Sequence, residues 1–140
     1  MLRNRAFLVV FAVVTAGLLL VPGCLSQGAT NTFYDSGAQD LTLTGQQLAQ
    51  YVLYRFDTSG SSHTLTLPAA SDILSQIGSP TVGQVFIIAV TADGTNSVTV
   101  AAGAGTTIKQ SASSVAGFTT RNLYFVVTNV SSGSNAVSIY

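Results

Sequence analysis

The sequence predicts an all-β domain with a minor helical content, arranged as a single β-sandwich or jelly-roll that carries one or two short helices. One observation is that short segments such as Asp40–Thr44 and Ser97–Ala101 alternate apolar and polar residues, as half-buried strands do. Another is that Gly, Ser, Asn and Asp clusters separate these segments at close spacing. We therefore expect a sandwich rather than a parallel sheet.

The first predicted elements surround a short helix. Asp40–Thr44 is a strand, and the sequence Thr44-Gly-Gln-Gln47 is a capping box that begins a helix with Leu48, Val52 and Phe56 four residues apart. A strand over Tyr51–Phe56 is the alternative. The helix is preferred over that strand, so the chain predicts a strand followed by a short helix.

A second strand and helix follow a turn at Thr58–Ser62. The segment His63–Leu67 alternates and ends at Pro68. Ser71-Asp72 is expected to cap a helix that places three apolar residues at helical spacing before Gly78 and Pro80 end it. This helix is predicted to pack on the sheet as a connection between strands.

The second half of the chain is predicted to contain only strands. Val85–Val90 is apolar at every position, which predicts a central strand buried on both faces. Asp93–Asn96 has the composition of a tight hairpin turn, so Ser97–Ala101 should return beside it. Leu123–Thr128 and Ala136–Tyr140 complete the set, and no repeat of 20 to 50 residues is apparent.

The N-terminus has the pattern of an export signal. Arg3 and Arg5 precede the apolar stretch Ala6–Val21, and Pro22-Gly23-Cys24 ends it. The stretch is shorter than the roughly 20 residues of a membrane-spanning helix, although extension to Leu25 brings it within range. Residues 1–24 are therefore predicted to be a cleaved signal peptide or a retained membrane anchor, and the protein is expected to be exported.

Cys24 gives this segment a more specific interpretation. Val21-Pro22-Gly23-Cys24 resembles a bacterial lipobox, in which the cysteine is acylated and becomes the new N-terminus; Gly23 and Cys24 fit that pattern and Pro22 departs from it. Lipid attachment at Cys24 would join the protein to a membrane. Residues 25–39 that follow are mostly small and polar, which predicts an arm or linker before the domain at residues 40–140.

Composition argues against several classes of function. Beyond the signal segment the only basic residues are Arg55, Lys109 and Arg121, too few for a surface that binds nucleic acid. His63 is the only histidine and Cys24 the only cysteine, so we predict no zinc site and no intramolecular disulfide. No Gly-x-Ser-x-Gly sequence is present, and we predict no catalytic residues, no metal, no cofactor and no enzyme activity.

Aromatic residues are the candidates for contact with other molecules. They are predicted to lie in the arm or in an interface between copies, and the set is Phe33, Tyr34, Phe86, Tyr124 and Tyr140. Tyrosine rings can also stack on glycans, so a glycan or a cell-surface receptor stays open as a partner.

Five sequence segments together resemble a small β domain that recurs in structural proteins of tailed phages and large double-stranded DNA viruses. They are Leu41–Leu48, Thr64–Ala70, Val82–Phe86, Ser97–Gly103 and Thr128–Ser134 running into Ala136–Tyr140. The resemblance implies an oligomeric fibre or decoration domain on a virion and carries over no enzymatic residues. The N-terminal signal departs from that setting and favours a membrane-attached spike or a surface lipoprotein.

The expected function is therefore a non-enzymatic structural and attachment domain on a virion or cell surface, self-associating as a homotrimer. The alternative is a subunit of an extracellular filament, in which the N-terminal arm adds a strand to the sheet edge of the next subunit.

Overall fold

The structure is a computed structural model, and it describes residues 33–140. The predicted signal segment, Cys24 and the first part of the arm lie outside the described residues. No helix between residues 33 and 140 is long and apolar enough to cross a membrane.

The described residues form ten strands, two short α-helices and one 3-10 helix. In chain order the elements are β1 (Phe33–Asp35), β2 (Leu41–Thr42), α1 (Gly45–Gln50), β3 (Leu53–Phe56), β4 (His63–Thr66), α2 (Ala70–Ser75), β5 (Val85–Ala92), β6 (Val98–Ala101), β7 (Thr106–Ile108), the 3-10 helix (Gln110–Ala112), β8 (Ser114–Val115), β9 (Thr119–Asn129) and β10 (Ala136–Ile139). The prediction of an all-β domain with a minor helical content is confirmed.

The strands form two sheets around one core. The six-stranded sheet has the order β1-β3-β5-β9-β10-β7, and the four-stranded sheet has the order β2-β4-β6-β8. Five of the eight strand pairings are parallel and three are antiparallel, whereas we expected a sandwich rather than a parallel sheet. Four of the parallel pairs join strands between β1 and β6, and they arise because consecutive strands there lie in opposite sheets; the fifth joins β7 and β10.

The first six strands therefore form three stacked coils, each with one strand in either sheet. Leu41 is paired with Leu65, and Leu65 with Val100, so equivalent positions of successive coils lie above one another. This is a structural repeat that the sequence analysis missed, because helices α1 and α2 make the coils unequal in length. In each coil, the segment that connects the two sheets contains Asp and Gly, and we call this segment an arc. A Leu-Thr-Leu or Val-Thr-Val sequence follows it. The three examples are Asp35–Gly37 with Leu41–Leu43, Asp57–Gly60 with Leu65–Leu67, and Asp93-Gly94 with Val98–Val100.

Local sequence explains the first helix well and the second only in part. In α1, the Thr44 hydroxyl accepts from the Gln47 N–H at 3.1 Å and the Gln47 side chain accepts from the Thr44 N–H at 2.9 Å, which confirms the predicted capping box. The segment after α1 is the strand β3, the alternative for Tyr51–Phe56. Helix α2 begins at Ala70 with Ala69 as its N-cap, so Ser71-Asp72 lies inside the helix instead of capping it.

Two predictions about β5 are wrong. Asp93–Asn96 does not close a hairpin, because β5 pairs with β3 and β9 while β6 lies in the other sheet. Nor is β5 buried on both faces: Ile88 is fully buried, whereas Ile87 is 45% exposed. The inner face of the strand lies in the core, where the Phe86 ring stacks on the Phe125 ring with their centres 4.7 Å apart. The outer face is left without a covering layer.

Candidate functional site

The outer face of the six-stranded sheet carries a row of large side chains that crosses several strands. Ile87 is paired with Tyr124, and Tyr124 exchanges two backbone hydrogen bonds of 3.0 Å with Tyr140. Lys109 lies at the far end of this row, with its Nζ 5.9 Å from the centre of the Tyr140 ring. Because directly paired residues point to the same side of a sheet, the four side chains form one continuous row.

Apolar residues extend this row on both sides. Val85 pairs with Val126 on one side. On the other, Ala89 pairs with Leu53 and Leu53 with Phe33 on the edge strand. We call this surface the apolar face, and its members are Phe33, Leu53, Val85, Ile87, Ala89, Tyr124, Val126 and Tyr140.

The large side chains of the apolar face are substantially open to solvent. Their exposed fractions are 46% for Phe33, 45% for Val85, 45% for Ile87, 43% for Tyr124 and 48% for Tyr140. Single exposed apolar residues are normal on a protein surface, whereas contiguous groups of them are characteristic of interaction surfaces. The apolar face is the strongest candidate for a functional surface among the described residues.

A charged cluster borders the apolar face where β1, β3 and β5 end. Arg55 Nη1 lies 2.9 Å from Asp35 Oδ2, and Arg55 Nε donates to Asp93 Oδ2 at 2.9 Å. The hydrogen bond to Asp93, followed by that to Asp35, raises the pKa of Arg55 above its ordinary value. All three side chains are at least a third exposed, so these ion pairs add little to stability and serve as a polar border.

The predicted interface residues separate into three environments. Phe33, Tyr124 and Tyr140 lie together on the apolar face. Phe86 is only 5% exposed and packs in the core, so its side chain is not available to a partner. Tyr34 points the opposite way from its neighbour Phe33, since successive side chains of a strand alternate between the two faces.

Tyr34 belongs to a group of three tyrosines at the edge of the core. Its ring centre lies 5.2 Å from that of Tyr51 and 5.9 Å from that of Tyr54. The Tyr54 hydroxyl donates to the Gln47 carbonyl at 2.8 Å, and burial raises the pKa of Tyr54 well above its ordinary value. The group anchors β1 and α1 to β3, which is a structural role.

Sequence reasoning missed Val85 and Ile87 as surface residues. It took Val85–Val90 as buried on both faces because no polar residue interrupts the run. A signal was present in the partner strand, where Asn122 and Tyr124 alternate with the buried Leu123 and Phe125. That alternation indicates that one face of the sheet is not covered.

The outer face of the four-stranded sheet is polar instead. Thr42 is paired with Thr66, and Thr64 with Thr99, which forms a ladder of hydroxyl groups. We call Thr42, Thr64, Thr66 and Thr99 the threonine face.

The arc between β3 and β4 is fixed by Asp57. Its Oδ1 accepts from the Ser59 hydroxyl at 2.6 Å and from the Ser59 N–H at 3.0 Å, and these bonds hold the pKa of Asp57 below its ordinary value. Asn96 of the next arc donates from its side chain to the Thr58 carbonyl at 2.8 Å. The arcs of successive coils are thus bonded to one another, and the turn at Ser59–Ser62 projects from them.

The described residues include one further cleft, but no cluster of metal-ligating side chains. A cleft of about 280 Å³ lies beside the start of α2, and only small residues line it, namely Ala69, Ser71, Ala104, Gly105, Gly133 and Asn135. Between residues 33 and 140, no group of three or more His, Cys, Asp or Glu side chains is placed to hold a metal ion.

Comparison of the chain with known proteins finds no matching family model, no matching curated protein and no matching solved structure.

Proposed function

We propose that this protein is an exported structural and attachment module that assembles with copies of itself through the apolar face. The observation that carries the proposal is the row Ile87–Tyr124–Tyr140, with Val85 and Phe33 beside it, exposed on one side of a sheet. Covering such a surface removes apolar area from water, which favours association.

The position of the first strand of the domain supports assembly on a membrane or virion. Phe33, the first described residue, lies on the edge strand of the apolar face. A tether that ends there would bring the apolar faces of neighbouring copies close together, because attachment raises their effective concentration. Lipid attachment at Cys24, or a retained anchor in residues 1–24, would provide that tether.

Face-to-face assembly is better supported than a filament built by strand addition. In the filament, the N-terminal arm would pair with the sheet edge of the next subunit. Here residues Phe33–Asp35 of that arm pair with β3 of the same chain, in register from Phe33–Leu53 to Asp35–Arg55. A filament would need this strand to leave its own sheet first.

The test is the molar mass of the protein expressed from the full-length chain and measured by light scattering at micromolar concentration. The proposal predicts a defined oligomer, with the mass of a trimer if the viral resemblance holds. Ile87→Lys should shift it to monomer, because a charge would be buried without a partner. Thr99→Lys on the threonine face is the matched control and should leave the mass unchanged. A monomeric wild type, or equal effects of both substitutions, would contradict the proposal.

A further inference from the structure

Three polar side chains, from His63, Asp40 and Ser61, lie close together at the start of β4. His63 is 7% exposed at the start of β4. Its Nδ1 lies 3.6 Å from Asp40 Oδ1, and its Nε2 lies 3.4 Å from Ser61 Oγ. The imidazole is therefore held between a carboxylate on one ring nitrogen and a hydroxyl on the other.

This order of groups is the one that activates a serine. In the tautomer that carries its proton on Nδ1, that N–H lies on the side of the Asp40 carboxylate, and Nε2 can accept from the Ser61 hydroxyl. Nucleophile and base separations are commonly looser than an ideal hydrogen bond when no substrate is bound. Asp40 is itself positioned, because its Oδ1 accepts from the Thr64 N–H at 2.8 Å.

The turn that carries Ser61 contains backbone N–H groups that bond to no other group of the described chain. Within residues 33–140 the N–H groups of Gly60, Ser61 and Ser62 have no hydrogen-bond acceptor, whereas the neighbouring Ser59 and His63 N–H groups do. Backbone N–H groups beside a nucleophile are the usual stabilisers of the oxyanion formed in acyl transfer.

We propose that Ser61, His63 and Asp40 form an acyl-transfer site for short O-acyl esters of hydroxyl-rich alcohols such as carbohydrates. Ser61 Oγ attacks the ester carbonyl carbon while His63 Nε2 takes its proton. His63 then returns that proton to the departing alkoxide, which leaves acyl-Ser61. Water, deprotonated by His63, hydrolyses this ester and restores the serine, so Asp40 is a positioning residue and the reaction consumes only ester and water.

The surroundings of Ser61 select the substrate class. Ser61 lies on a turn whose residues 59–62 are all small, polar or glycine, and exposed, so a long acyl chain would gain little apolar contact from them. Hydroxyl groups lie nearby, including Ser62 Oγ, 3.5 Å from Ser97 Oγ. A small acyl group on a polar alcohol fits these neighbours. This activity is separate from self-assembly, since the turn is not part of the apolar face.

The experiment is covalent labelling of the full-length protein with p-nitrophenyl acetate, with the acetyl adduct located by peptide mass spectrometry. An adduct on Ser61 is expected in the wild type when the reaction is quenched with acid before the acyl group is hydrolysed. Ser61→Ala should abolish it, and His63→Gln should slow it on the order of 100-fold. Ser62→Ala is the matched control in the same turn and should label at the wild-type rate. Asp40→Asn should slow labelling, because the carboxylate that orients the imidazole is lost, and Asp40→Glu, which keeps a carboxylate, should restore part of the rate.

Several results would overturn the assignment. They are the absence of any adduct on wild-type Ser61, an unchanged rate in His63→Gln with its fold intact by circular dichroism, or an equal loss in Ser62→Ala. Faster labelling by p-nitrophenyl octanoate than by the acetate would overturn the choice of short acyl groups.

Discussion

The two outer faces of this domain differ in chemistry although both lie on sheets that share one core. The apolar face of the six-stranded sheet presents Phe33, Ile87 and Tyr124, while the threonine face of the four-stranded sheet presents paired hydroxyl groups. Threonine suits an exposed strand because its branched Cβ favours the extended backbone and its hydroxyl bonds water. Isoleucine and phenylalanine have the same backbone preference but do not bond water, and their exposure is the basis of the proposal that another surface covers them.

The inner and outer sides of β5 give the sharpest version of this contrast. Ile88→Ala should lower the free energy of unfolding by about 2–5 kcal/mol, because it leaves a cavity in a fully packed core. Ile87→Ala, one residue away, should change it by less than about 1 kcal/mol when the protein is monomeric. Urea denaturation of both variants at a concentration below assembly measures the difference.

The same two variants distinguish an effect on folding from an effect on association. In the assembled protein, Ile87→Ala should shift the concentration dependence of the melting temperature, because burial in the oligomer then contributes to stability. An Ile87→Ala effect as large as that of Ile88→Ala in the monomer would show that the apolar face is covered within a single chain.

A second prediction concerns the arcs that join the two sheets. A Cβ added at Gly94 would overlap the backbone of Thr58 and Ser59 in the arc below, whereas a Cβ at Gly78 meets nothing within 4 Å. Gly94→Ala should therefore cost about 1–3 kcal/mol of stability, as overpacking does. Gly78→Ala is the matched control.

Thermal unfolding of the two glycine variants measures this cost. Equal melting temperatures of Gly94→Ala and Gly78→Ala would contradict the close contact between the arcs of the second and third coils.

The smallest expected effect compares threonines on the two outer faces. Thr91 on the six-stranded sheet shares a 2.8 Å hydrogen bond with Thr120, so Thr91→Val should cost about 0.5–1 kcal/mol. Thr99 on the threonine face is exposed, and Thr99→Val should stay within about 0.5 kcal/mol of the wild type.

Chemical denaturation of the threonine variants, with Thr91→Ser as the control that keeps the hydroxyl, tests this contrast. Equal losses for Thr91→Val and Thr99→Val would mean that the Thr91–Thr120 pair does not distinguish the faces.

Much of the local structure was predictable because short-range physics fixes it. The capping box at Thr44 and Gln47 forms within one turn of helix, and the alternation in His63–Leu67 gives a strand whichever partner it finds. The hairpin at Asp93–Asn96 failed for the opposite reason. Its turn residues suit any tight change of direction, and strand pairing, which is long-range, directed the chain into the other sheet.

The candidate sites divide in the same way. Phe33, Tyr124 and Tyr140 were identified by residue type, but only the pairing register places them with Val85 and Ile87 on one face. Phe86 has the same chemistry and became a core residue because it sits one position along β5. His63 carried no functional signal in the sequence, since Asp40 reaches it only through the stacking of coils, although Ser61 lies two residues before it.

The sequence by itself determined the β-rich class, the two short helices and the scarcity of charge, because composition and periodicity act over a few residues. The tertiary structure decided which sheet each strand joins, which apolar residues remain outside and which polar groups meet at His63. These depend on register between strands far apart in the chain, where a shift of one residue exchanges the buried and exposed faces.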